Sequence, residues 1–309
     1  MGLRDAFRAI EEGFSGKIEY DVPLARVAYY RIGGPARVLV EPRTFEDLLA
    51  VHGVLRATRA PFFVLGWGSN LLFPDHPYEG VMIRMKHLHT SIEELCTGVL
   101  RVGASLGANS LLKFAGERGY GGLSRFTGIP GSVGGMIFMN AGTHLGEMSG
   151  VLRRVEWVNL LQESGPLVVH SRETTESDFS YRRNHFLKEG DILLHAEIRY
   201  EREEPGKVKA EIESLYQRRK STQPVEYPSC GSVFMNPHES GLRAWEVVDR
   251  LGFRGKRSGG AQVSEKHPNF IINLGGATSA DVRALIAEIR DSAMRNLGIE
   301  LHEEVRILP

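Results

Sequence analysis

Nine of the chain's 35 glycines fall between Gly121 and Gly150, and the centre of that stretch reads Thr127-Gly-Ile-Pro-Gly-Ser-Val-Gly-Gly-Met-Ile-Phe-Met-Asn-Ala-Gly142. A run so poor in side chains must lie where backbones approach closely or where φ is positive. It suits a cradle of converging N–H groups around an anion, and it equally suits a tight turn without a ligand. The run matches neither a GxxxxGK[ST] phosphate loop nor a GxGxxG that opens a helix, which disfavours a nucleoside triphosphatase and a Rossmann dehydrogenase. A second loop of the same kind, Gly66-Trp67-Gly68-Ser69-Asn70, would let two loops share the donors that a dinucleotide pyrophosphate needs. A third glycine element, Arg31-Ile-Gly-Gly-Pro-Ala36, reads as a turn before a strand.

With 309 residues the chain is long enough for two or three domains at roughly 100–200 residues each. Lys plus Arg and Asp plus Glu both total 38, so no basic field favours nucleic acid and any anion must be caught by local groups. No apolar run approaches the ~18 residues of a membrane span. Two cysteines without a CxxC pair, and a start that lacks an apolar signal core, lead us to expect a cytoplasmic protein.

Hydrophobic spacing gives the organisation. Arg37–Glu41 reads as a strand, Thr44 caps a helix carrying Phe45, Leu48, Leu49 and Leu55, and Phe62–Leu65 is a second strand that runs into the Gly66 loop. Short β-rich runs (GVMIRM, VLRVGA, VLRRVEWVNLL, DILLHAEIRY) follow up to Tyr200. A polar segment with Pro205 precedes a helix carrying Val208, Ile212 and Leu215, which sets a boundary near residue 204. The remainder predicts a helix from Leu242 to Leu251, a strand over Asn269–Leu274, and a long helix opened by Thr278 or Ser279. Val282, Leu285, Ile286, Ile289 and Ala293 stripe that helix, and Gly298 ends it. A closing strand is expected over Ile299–Leu308. Its alternation puts Leu301 and Val305 on the apolar face with Glu303, and makes Glu304 a solvated residue.

Three further segments carry chemistry. Arg182, in Tyr181-Arg182-Arg183, offers the planar fork that clamps a carboxylate, although an arginine pair is more commonly a solvated surface. In Pro228–Pro237 small residues lie between prolines, so the Ser232 hydroxyl can face a cleft; a turn serine is the plainer alternative. No GxSxG and no HExxH occur, and His87 and His89 lack further ligands, so acyl transfer and a metal site are not expected.

Taken in order, RIGGPA (31–36), LGWGSNLL (65–72), TGIPGSVGGMIFMNAG (127–142), Tyr181-Arg182, CGSVFMNP (230–237), GGAQVSEKHPNFIIN (259–273) and Glu304-Val305-Arg306 resemble the UDP-N-acetylenolpyruvoylglucosamine reductase family, also called UDP-N-acetylmuramate dehydrogenases. Each motif alone is weak, and seven in order are strong. The resemblance implies an α+β chain: a two-part FAD-binding fold of the vanillyl-alcohol oxidase/para-cresol methylhydroxylase type, over residues 1–78 and 79–204, and an α+β substrate domain over 205–309. The short gap after Tyr181 is similar to the family's shorter type, which lacks an extra substrate-covering segment.

It further implies FAD held without a covalent bond, NADPH as reductant and a UDP-sugar as substrate, with no nucleic-acid or membrane partner and a monomeric state. Carried over by position, catalysis falls to Arg182, Ser232 and Glu304. Cofactor binding falls to Gly66, Trp67, Gly68, Ser69, Asn70, Leu71, Thr127, Gly128, Pro130, Gly131, Ser132, Gly134, Gly135, Asn140, Ala141 and Gly142, and substrate binding to Tyr181, Asn236, Gln262 and Lys266. Four positions depart from the pattern. Trp67 stands where a glycine is usual and Met235 where a basic residue is common, which shifts the substrate diphosphate toward Lys266 or Arg218. His302 replaces a frequent glutamate, and Asn184 a frequent serine. Another FAD oxidoreductase of this fold would lack a reason for the Arg182, Ser232 and Glu304 set, and a silent flavin-binding module would tolerate its loss.

Overall fold

The computed structural model describes residues 2–308, which divide into two compact units. The first comprises Met1–Asp21, Arg37–Trp67 and Glu79–Gln217; the second comprises Val22–Ala36, Gly68–Tyr78 and Arg218–Pro309. One boundary falls inside the Gly66–Asn70 loop and another inside the helix Pro205–Thr222. Among the described residues no helix is long and apolar enough to cross a membrane, and no group of three or more His, Cys, Asp or Glu side chains is arranged to hold a metal ion.

The first unit has two apolar cores. One forms where the strands Pro35–Glu41, Tyr78–Arg84 and Phe62–Leu65 pack on the helix Phe45–Thr58, whose Leu48, Val51 and Leu55 are buried with Val38, Val40, Val81 and Ile83. Thr44 opens that helix with a capping box, its hydroxyl accepting from the Asp47 N–H, an arrangement worth about 1 kcal/mol. The other core lies against a five-stranded antiparallel sheet in the order His170–Glu173, Leu152–Asn159, Asp191–Arg199, Val99–Gly103, Ile92–Cys96. Within Asp191–Arg199, Ile192 and Leu194 belong to the first core and Ala196 and Ile198 to the second, so one strand serves both. The helices Ala108–Arg118 and Val133–Phe138 complete the second core through Leu111, Ala115, Val133, Met136 and Ile137. Neither helix is among the expected elements: Ala108–Arg118 opens on a glycine with no side-chain cap to announce it, and Val133–Phe138 is only six residues long with two glycines.

In the second unit the antiparallel strands Arg257–Ser258, Ala261–Val263 and Ile271–Asn273 share a core with the helices Ala244–Arg250 and Ser279–Leu297. All five stripe residues of the long helix are buried, Thr278 forms its capping box with Asp281, and Gly298 ends it in the left-handed conformation. The RIGGPA turn belongs to this unit for a steric reason: a Cβ on Gly34 would lie 2.3 Å from the Asp75 carbonyl oxygen. Tyr30, fully buried, donates to the Ile271 carbonyl at 2.8 Å, and the Asn273 amide donates to the Tyr30 carbonyl at 3.1 Å.

The closing segment departs from its expected form. Only Arg306–Ile307 is strand, paired in parallel with Leu71–Leu72, and further back Glu303 makes a single bridge to Phe234. Between these partners the Val233 carbonyl accepts from both the Glu304 N–H, at 2.8 Å, and the Val305 N–H, at 3.4 Å. Two residues against one is the count of a bulge, yet the apolar face continues across it: Leu301 and Val305 are buried in one core with Ile299 and Ile307 packed against it, while His302 and Arg306 are exposed. The alternation therefore holds, and Glu304, on its polar side, is half-buried rather than solvated because the Val233 segment lies against it. Glu303, the odd residue of the apolar face, is held by Arg290 at 2.8 Å.

Candidate active site

The two glycine loops approach each other within the first unit through Gly66 and Ser132. A Cβ on Gly66 would lie 2.9 Å from Ser132 Oγ, and Ser132 caps the helix Val133–Phe138 by accepting from the Gly135 N–H at 3.2 Å. Gly128 and Gly131 both take positive φ, as a side-chain-free turn requires. The Thr127 hydroxyl, in a residue only 6% exposed, has no hydrogen-bond partner in the protein. A buried hydroxyl left open at the entrance of a loop that excludes Cβ atoms fits a polar cofactor at this place.

The far half of the glycine-rich segment does something different. Asn140, 1% exposed and at φ 42°, spends its amide on the protein: Nδ2 donates to Glu147 Oε2 at 2.7 Å and to the Ser180 carbonyl at 3.1 Å, while Oδ1 accepts from the Ser149 N–H at 2.9 Å. Glu147 in turn accepts from Arg182 Nη1 at 3.1 Å, and Arg182 Nη2 donates to the Gly142 carbonyl at 3.0 Å. Arg182 has φ 58°, unusual for a residue with a side chain, and its guanidinium lies 4.8 Å from the Tyr181 ring centre. The segment thus builds a seat for Arg182, and Glu147, which no sequence motif marked, is its carboxylate. Ion partners 35 residues apart leave no local signal.

The second unit brings Ser232 and Glu304 to adjacent strands of backbone. Besides the two N–H groups on Val233, Met235 N–H donates to the His302 carbonyl at 2.9 Å, and the Asn70 amide donates to the Glu304 carbonyl at 3.0 Å. Asn269 fixes the serine loop from behind, accepting from the Phe234 N–H at 3.0 Å and donating to its carbonyl at 2.9 Å. Gly231, at φ 81°, turns the chain so that Cys230 enters the core while Ser232 stays part-exposed. Burial, with the Glu304 charge adding to it, pushes the Cys230 thiol up to about 12, so this cysteine remains a protonated core residue.

The residues expected to bind substrate are not alike. Asn236 accepts from the Ala244 N–H at 3.0 Å and starts a helix, and Gln262, 8% exposed, donates to the Gly255 carbonyl at 3.0 Å. Lys266 pairs with Glu226 at 3.5 Å. Sequence reasoning gave no place to Arg219, whose Nε is buried without a hydrogen-bond partner and whose pKa burial lowers to about 10. His267 is similar: its Nδ1 has no partner, and burial, with the Arg254 charge behind it, lowers its pKa to about 4.

Two family models match the chain: an FAD binding domain over residues 36–170 and a UDP-N-acetylenolpyruvoylglucosamine reductase C-terminal domain over residues 223–308. The reductase of Clostridium perfringens strain SM101 is 38% identical over 291 residues, covering 94% of this chain and 93% of its own length. That of Geobacter metallireducens is also 38% identical, over 95% of this chain and 94% of its own. The chain belongs to the UDP-N-acetylenolpyruvoylglucosamine reductase family. It is an FAD-dependent oxidoreductase of peptidoglycan precursor synthesis, and its α+β fold is the expected FAD-binding fold joined to the reductase C-terminal domain. The solved reductase of Thermus caldophilus superposes with a TM-score of 0.79 at 33% identity, covering 95% of this chain and 100% of that one.

Proposed function

We propose that the protein reduces UDP-N-acetylglucosamine enolpyruvate to UDP-N-acetylmuramate with NADPH, as a cytoplasmic monomer of the family's shorter type, and that Arg182, Ser232 and Glu304 carry the reaction. Flavin binding is assigned to residues 1–78 and 79–204, which share the core of Val38, Leu48, Val81, Val158 and Ile192, and substrate binding to 205–309. FAD, bound without a covalent bond and reduced by NADPH, supplies the hydride for the terminal carbon of the enolpyruvyl ether. Addition there leaves an electron pair shared by the α-carbon and the carboxylate. Arg182 neutralises that charge with a planar fork, Glu304 orients the carboxylate, and the Ser232 hydroxyl delivers the proton that completes the saturated α-carbon.

The observation that carries this reading is the bulge at Val233. Two N–H groups on one carbonyl hold the Glu304 segment beside the serine loop. Anaerobic spectroscopy tests it: NADPH should bleach the bound flavin, and the enolpyruvyl substrate should restore the oxidised spectrum. Bleaching without recovery on that substrate would favour an oxidoreductase of the same fold with a different acceptor. Acid precipitation should leave yellow FAD in the supernatant.

A further inference from the structure

Trp67, a residue 36% exposed, is unexpected in a loop otherwise made of glycine, serine and asparagine, and its indole is wedged against Gly107. A Cβ on Gly107 would lie 2.6 Å from both Cη2 and Cζ2 of the ring. Backbone conformation does not require glycine there, since φ −71° and ψ 142° are open to any residue. Gly107 is the N-cap of the helix Ala108–Arg118, a place where serine or aspartate would hold the first-turn N–H groups, and the helix has no side-chain cap. The missing side chain makes room for the indole.

The segment under the ring is stitched to the second glycine loop. Gly107 bridges Ser132, the Ala108 N–H donates to the Gly131 carbonyl at 2.9 Å, and the Val133 N–H donates to the Leu106 carbonyl at 2.8 Å. On the other side of Trp67, Gly66 stands against the Ser132 hydroxyl. One indole therefore ties Gly66-Trp67 to Gly131-Ser132 through a third stretch of backbone.

We infer that Trp67 is a positioning residue for FAD: its indole, seated on Gly107, sets the spacing of the two glycine loops. This rests on the family's use of FAD. A free glycine at position 67 would leave the first loop to find its place against the second by ordering on binding, which weakens affinity. The ring can yield to a Cβ at 107 only by swinging as a whole, which unseats it and removes the tie between the loops.

The test is a double-mutant cycle on the purified holoenzyme, reading the flavin retained through gel filtration and the Kd for FAD on reconstitution. Gly107→Ser and Trp67→Gly should each raise Kd by about tenfold. The double variant should bind no more weakly than Trp67→Gly alone, and in that background Gly107→Ser should leave the unfolding temperature unchanged or higher, because serine is the better cap. Rescue of this kind separates the clamp from a mere folding defect. Equal weakening by Gly107→Ser with and without Trp67, or a Trp67→Gly protein that keeps FAD as the parent does, overturns the clamp while leaving the flavin assignment in place. A parent protein that binds no FAD overturns the assignment and the clamp together.

Discussion

Arg182 and the pair Ser232 and Glu304 are held by opposite means. Arg182 sits in a network of side chains, with Glu147 and Asn140 making charged and amide contacts across long sequence separations and a strained φ at the arginine itself. Ser232 and Glu304 are placed by main chain: the bulge at Val233, the Phe234–Glu303 bridge and an asparagine that pairs with both backbone groups of Phe234. A guanidinium has a long flexible stem, so it keeps its aim only if other charges hold it. A serine hydroxyl is one bond from its Cβ and is aimed by the backbone. The first seat should therefore be sensitive to single changes of charge, and the second indifferent to them.

The largest expected effect is on the serine side. Ser232→Ala should leave flavin binding and reduction by NADPH near the parent's, while reoxidation by the enolpyruvyl substrate slows by about 10²–10⁴-fold, the usual range for a general acid. Ser232→Cys should recover part of the rate. Cys230→Ala should leave the rate standing, because that thiol is buried. Stopped-flow absorbance resolves the two half-reactions, and normal reoxidation of Ser232→Ala would redraw the loop's register.

On the arginine side, Arg182→Lys keeps the charge and loses the fork, with an expected fall of about 10² in substrate reoxidation and a smaller one in flavin reduction. Equal effects on the two half-reactions would remove Arg182 from the carboxylate. Glu147→Gln is the milder probe of the same seat. Its amide would turn a donor toward either Arg182 Nη1 or Asn140 Nδ2, so substrate turnover should drop by about tenfold with flavin content unchanged. An unaffected rate would mean that the arginine holds its aim without the carboxylate, and the contrast between the two seats would lapse.

The same contrast explains what could be read in the sequence. Elements made by local rules were legible: the capped helix after Thr44, the strand Phe62–Leu65 and the five-residue stripe of the long helix all occur where spacing put them. Glycine motifs were legible as places of close approach, although Asn140, expected at the cofactor, turns out to be occupied by Glu147, Ser149 and Ser180. Periodicity could not find Glu304, because the backbone contact that half-buries it depends on a partner some 70 residues away. Glu147 and the seat of Trp67 on Gly107 were hidden for the same reason. Each is a pairwise fit between distant residues, and no window along one chain contains it.

The smallest expected effect concerns the sheet of the first unit. His195 and His89 have ring centres 4.2 Å apart, and Arg101 lies 3.2 Å from His195 Nδ1 and 2.7 Å from Glu156. Burial, then the charges of His89 and Arg101, lower the His195 pKa to about 4 against the pull of Glu156, and burial lowers that of His89 as well. For Glu156, burial pushes upward but the hydrogen bond and charge of Arg101 outweigh it, so its pKa is also lowered. Between pH 6.5 and about 4 the unfolded chain thus binds protons that the folded sheet refuses, and stability must fall as pH falls through that window. Glu156 adds to the loss at the acid end, where its pairing is protonated away. Urea unfolding at pH 7 and pH 5 should show the parent losing stability and His195→Gln losing less, by on the order of 1 kcal/mol once partial solvent screening is allowed for. His267→Gln gives the matching measurement in the second unit, since that ring is lowered to about 4 by burial and the Arg254 charge. If both variants flatten the pH dependence, each unit carries its own acid-sensitive histidine; if the parent is equally stable at the two pH values, the buried rings take up protons without cost and the neutral sheet cluster is refuted.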